Sequence, residues 1–113
     1  MTKNKLNEGI YPLFYDYFFK NFHKIEMNKK LLKFIDFNLI ISDENEPKEL
    51  LINGISFFEY TFNCTIFLEA WLEDNDMKTN KNYKINLANI IVKREFNKAD
   101  FYFEDENLHF EIE

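Results

Sequence analysis

This chain is short of the residues that punctuate or cross-link a protein: two glycines, two prolines and one cysteine among 113 residues. A lone Cys64 excludes an internal disulfide, and nothing then points to an oxidising compartment. The scarcity of Gly and Pro leaves little irregular chain. Arginine is nearly missing too, with Arg94 alone against thirteen lysines. Few rigid bidentate forks are therefore on hand for phosphate recognition, which counts against nucleic-acid binding. No stretch approaches the ~18 apolar residues of a membrane span, and the polar start from Met1 to Glu8 lacks the apolar run of a signal peptide. A soluble, unexported, cytoplasmic protein is expected.

Chemistry-bearing motifs are equally scarce. Gly-rich phosphate loops, nucleophile elbows and acid-base signatures do not occur, so no enzyme is expected. Asp74 and Asp76 stand two apart as in a calcium loop, but no glycine or bidentate acid follows at the required spacing. Cys64, His23 and His109 are single and distant, without zinc-ligand spacing. No metal, cofactor or catalytic residue is nominated.

What the chain has in plenty is aromatic side chains: fourteen Phe, six Tyr and Trp71. Each buries a large apolar area, so a single domain spanning 1–113 can build a substantial core. Charge comes in blocks. Residues 1–42 carry seven Lys against four acids and 43–76 one Lys against nine acids. Residues 77–99 then carry six bases against one acid, and 100–113 six acids alone. The net charge of −6 thus hides two strongly acidic stretches.

Hydrophobic periodicity predicts an α+β fold, with an N-terminal amphipathic helix on a mainly antiparallel sheet. The helix is expected from Ile10 to Ile25, with Pro12 in its first turn and Phe14, Phe18, Phe22 and Ile25 on one face. Tyr11, Tyr15, Tyr17 and Phe19 widen that face enough to touch a second surface. Asn28–Lys33 reads as a basic connection, and Ile35, Phe37, Leu39 and Ile41 as the covered side of a strand. Asp43-Glu44-Asn45-Glu46-Pro47-Lys48 is a charged loop. Asn53-Gly54 marks a two-residue hairpin turn.

Two readings compete from Ser56 to Leu72. Ser56-Phe57-Phe58-Glu59 fits a helix capping box, whereas the unbroken alternation of apolar residues from Phe58 to Leu72 favours one very long strand, or two meeting near Asn63. Glu73–Asn82 reads as a polar loop, and Leu87–Phe96 as a strand or a short helix. Phe101–Phe103 and Leu108–Ile112 read as a closing hairpin with Tyr102, His109, Glu111 and Glu113 on its wet side. Phe57 and Phe67 interrupt the polar side of the long strand and are expected under the helix. Trp71, between Glu69 and Glu73, is left open.

The function class follows from acids set beside aromatics, which together supply long-range steering and short-range anchors. The candidate binding residues are Asp43, Glu44, Glu46, Glu49, Glu69, Trp71, Glu73, Asp74, Tyr102, Glu104, Asp105 and Glu106. If folding gathers the two acidic stretches, the surface gains a negative field able to attract a cationic partner. In Thr65–Leu72, the Lys/Asn-rich segment, Tyr83–Leu87 with Asn89–Val92, and the ending from Phe101, the chain resembles immunity proteins of bacterial polymorphic-toxin and contact-dependent growth inhibition systems. That resemblance implies a cytosolic, non-enzymatic, one-to-one inhibitor of a cognate toxin; the acidic stretches point to a basic, nuclease-type toxin, and a monomer or homodimer acting away from membrane and nucleic acid is expected. A phage- or plasmid-borne inhibitor mimicking nucleic acid and a homo-oligomeric structural module are the competing classes.

Overall fold

The computed structural model describes the backbone of residues 2–113 and the side chains from Leu6 onward. One helix, α1 (Thr2–Lys20), and a short 3-10 turn (Phe22–Lys24) precede six strands: β1 (Lys30–Ser42), β2 (Lys48–Ile52), β3 (Ile55–Asp74), β4 (Met77–Glu95), β5 (Phe101–Phe103) and β6 (Phe110–Ile112). All pairing is antiparallel. The sheet is four strands wide. β3 and β4 form its centre, β1 and β2 lie end to end along β3, and β5 and β6 lie end to end along β4.

The long-strand reading of 57–72 holds, because alternation decides which side of the sheet each residue takes. Phe62, Cys64, Ile66, Leu68, Ala70 and Leu72 are all buried against α1 and its surroundings. A helix over the same residues would have spread them around its cylinder. The Asn53-Gly54 hairpin also holds, with φ of 51° and 80° at its two residues, both in the left-handed region that a two-residue I′ turn needs.

Four expectations are corrected. The helix begins eight residues before Ile10 and carries Pro12 in its interior. The lost N–H bond is offset by burying Leu6 and Ile10 together with Phe14 and Phe18. At Gly9 the helix passes so close to β5 that an added Cβ would lie 2.2 Å from the Phe101 ring. Residues 73–82 are no loop: β3 and β4 continue to an Asn75-Asp76 turn with φ of 51° and 66°, a conformation that Asn and Asp tolerate better than most residues. Of the two readings of Leu87–Phe96, the strand holds as far as Glu95, carried past a bulge at Asn89.

That bulge resolves an apparent clash of periods. Tyr83, Ile85 and Leu87 are odd-numbered and Ile90 and Val92 even, yet all five are buried on the helix side. One extra residue in β4 opposite Asn63 shifts the phase, with φ of 55° at Asn89 and the Asn89 N–H donating to Asn63 Oδ1 at 2.8 Å. Bulges correct β1 likewise. Register shifts at Leu32 and Ile35 put Phe34, Phe37 and Leu39 in the core, while Ile35 stands exposed. Finally, β5 and β6 pair with β4 and not with each other, so the chain's ending is no hairpin.

The core is aromatic. Phe14 meets Phe62 and Phe103 edge-on at 6.3 and 5.1 Å, Phe18 meets Phe110 at 5.2 Å, and Phe22 meets Tyr83 at 5.9 Å between ring centroids. Such pairs contribute about 0.5–1.5 kcal/mol each beyond the area they bury. Cys64 lies inside this layer, where burial pushes its thiol pKa up to about 12 and leaves it a small apolar filler.

Candidate functional site: the helix-free face of the sheet

Because α1 covers one side of the sheet, the odd-numbered residues of β3 from Phe57 to Glu73 share the other side with their cross-strand partners. This overturns the expected covering of Phe57 and Phe67. Phe67 is 41% exposed, flanked by Asn38 and Lys84 in register, with the Lys84 ammonium 6.0 Å from its ring centroid. Phe57 is half-buried, and Tyr102 of β5 reaches across Lys93 to meet it edge-on at 6.4 Å. Ile40, 54% exposed and opposite Thr65, is the diagonal neighbour of Phe67.

Acids are interleaved with these rings. Glu69, Trp71 and Glu73 alternate along β3, and all three are half-buried. Glu69 stands between Asp36 and Asn82, Trp71 between Lys33 and Asn80, and Glu73 between Lys30 and Lys78. Asp36 opposite Glu69 places two carboxylates directly across from one another. Like charges in that position oppose folding slightly and favour an incoming cation. Among the described residues neither makes an ion pair, and Asp36 Oδ1 accepts a hydrogen bond from Asn38 Nδ2 at 3.1 Å. Sequence reasoning missed Asp36, whose signal exists only once strand register is known.

The two acidic loops take up matching positions on opposite edges. Asn45 N–H donates to the Thr61 carbonyl at 3.1 Å, Glu104 N–H donates to the Ile91 carbonyl at 3.1 Å, and Thr61 and Ile91 are paired. One row across the sheet therefore runs from the β1–β2 loop to the β5–β6 loop. Three strand spacings, about 14 Å, separate them, so the two loops do not merge into one patch. Asp43 follows β1 with φ of 51° and accepts a hydrogen bond from Asn63 Nδ2 at 2.9 Å. Glu44 and Glu46 turn toward the helix side, lining a cleft with Leu6, Gly9, Tyr60 and Phe101. Glu49, opposite Phe58, is on that side as well.

Glu104 bonds Lys93 at 3.1 Å, which neutralises it in the free protein. Asp105 Oδ1 accepts from the Asn107 N–H at 2.9 Å, and both Asp105 and Glu106 are exposed. Asp74 sits at the far end of the sheet beside the Asn75-Asp76 turn. The structure thus brings together Glu69, Trp71 and Glu73 on one strand and Tyr102 with Phe57 near Glu104; Glu44, Glu46, Glu49 and Asp74 lie apart.

The titration shifts fall away from this face or at its rim. Glu26 accepts bonds from Lys81 Nζ at 2.8 Å and Tyr83 Oη at 2.7 Å, which hold its carboxyl below the usual range. Burial, followed by the bond to Glu26, pushes Tyr83 above its usual value. At the rim, bonds from Asn86 and Lys84 lower Glu113. Among the described residues no three His, Cys, Asp or Glu group to hold a metal ion and no helix is long and apolar enough to cross a membrane. Compared with known proteins, the chain matches no family model, no curated protein and no solved structure.

Proposed function

We propose that this chain is a non-enzymatic immunity protein, which binds and neutralises a cognate bacterial toxin of basic, nuclease type. The observation that carries the reading is the helix-free face. It presents Phe57 with Tyr102, then Phe67 and Trp71, in alternation with Glu69 and Glu73, and an acidic loop stands at each edge of the row above them. Exposed rings rimmed by charge have the make-up of a protein-binding surface. Toxins that act on nucleic acid carry cationic clefts, and carboxylates presented on a rigid sheet can occupy such a cleft where phosphates would bind.

Division of labour follows from range. Glu104, Asp105 and Glu106, with Asp43 on the other edge, govern the association rate; Trp71 and Tyr102 govern dissociation. The test is to produce the chain together with the toxic C-terminal domain of a large secreted protein encoded immediately upstream. Restored growth and a tight complex are expected. Unrelieved toxicity, or a neighbourhood with no toxin gene, would remove the reading.

A further inference from the structure

We infer that the β1 edge is a self-association surface, on which β1 of a second copy pairs antiparallel. Three observations lead there. First, among the described residues β1 bonds to β3 alone, which leaves its outer backbone groups without a strand partner. The register shifts at Leu32 and Ile35 interrupt its first half, but Asp36–Ser42 is a regular run of seven residues with no proline. Such an edge is a template for another strand, and only its bulged half is blunted.

Second, exposed apolar groups flank the edge on both sides of the sheet. On the open side stands Ile40. On the helix side a row of rings, Tyr11, Tyr15 and Phe19, stacks along α1 at centroid spacings of 6.3 and 6.4 Å and rests edge-on against Phe37 and Phe34 of β1. Tyr11 and Phe19 stay 38% and 48% exposed. These are the residues that make the helix face wider than one sheet requires.

Third, and selecting a second copy over other occupants, β1 is electrically polar along its length. Lys29, Lys30 and Lys33 mark its start, and the exposed Asp43 and Glu46 follow its end, while Glu44 is drawn into the helix-side cleft. Antiparallel pairing centred near Leu39 sets the basic start of each copy beside the acidic end of the other, twice by symmetry. Parallel pairing would align like with like. The seven-residue run is about 24 Å long, and one sheet with one helix layer is about 20 Å deep, so each copy covers on the order of 500 Å². A total near 1,000 Å² is at the threshold of a specific interface, which makes the dimer concentration-dependent. The inference is independent of the toxin reading: the open face, with Glu69, Trp71 and Tyr102, stays uncovered and is doubled in width.

Sedimentation velocity on the full chain tests it without any toxin. At about 100 µM the protein should sediment as a dimer, dissociating on dilution. Ile40→Lys should weaken association roughly tenfold. The variants K30E/K33E and D43K/E46K should each be monomeric, and their equimolar mixture should regain the dimer, because each then meets its opposite charge. Circular dichroism confirms that each variant is folded. A monomer at about 100 µM, or two charge variants that remain monomeric when mixed, overturns the proposal; a dimer that ignores Ile40→Lys and both charge variants assigns the interface elsewhere and overturns it as well.

Discussion

The two faces of this sheet are built from alternate residues of the same strands, yet they do different things. On the helix side, Phe62, Ile66, Leu68, Ala70, Leu72, Ile85 and Val92 are almost wholly removed from water. One residue away, Phe67 and Trp71 remain in reach of solvent among Glu69, Glu73 and Lys84. Period two in β3 makes both faces at once. The helix side spends apolar area on stability, and the open side leaves rings uncovered whose burial would need a partner.

The sharpest way to break the comparison is to truncate one ring on each side. Phe14→Ala should lower unfolding free energy by about 3–5 kcal/mol, because it empties a fully packed site beside Phe62 and Phe103. Phe67→Ala should cost about 1 kcal/mol or less. Denaturant titration of both variants checks the difference, and equal losses would mean the open face is no less a core than the other.

Next in size is the joint between the two phases of β4. Asn89→Ala should cost about 1–2 kcal/mol, since alanine must keep the left-handed φ of 55° that asparagine tolerates. Loss of the bulge would turn either Leu87 or Ile90 to the wrong face, so amide exchange should accelerate in β4 before β1. Thermal unfolding with exchange mapping reads both.

Smallest is the ion pair of Glu26 with Lys81, partly exposed and therefore worth about 1 kcal/mol or less. Its carboxyl pKa is lowered from 4.5, so its contribution is present above that value and is lost as pH falls through the folded-state value. Glu26→Gln should thus destabilise at pH 7, and the difference from the native protein should shrink as the carboxyl protonates at acid pH. Stability curves of the two proteins that stay parallel across this range would show that the bond does not operate.

Much of the fold was legible because apolar alternation over Phe58–Leu72 is long enough to defeat a helical alternative. The helix core at Phe14 and Phe18 and the Asn53-Gly54 turn were legible for the same local reasons. What escaped depended on pairing across distance. Bulges at Ile35 and Asn89 change the side a residue faces without changing composition. Asn75-Asp76 looked like the middle of a polar loop because its tightness lies in backbone dihedrals. In the site, Glu69, Trp71 and Glu73 could be placed on one face from spacing alone. The relation of 43–46 to 104–106 could not, because it is set by two loops bonding to Thr61 and Ile91 on neighbouring strands.

Stopped-flow association with the proposed toxin, if one is encoded upstream, measured against salt concentration, tests the central claim most directly. Reversing Glu104, Asp105 and Glu106 to lysine should slow association roughly tenfold at low salt and leave dissociation nearly unchanged, whereas Trp71→Ala should speed dissociation and spare association. Association rates that are the same for the native and charge-reversed proteins at low salt would contradict the account.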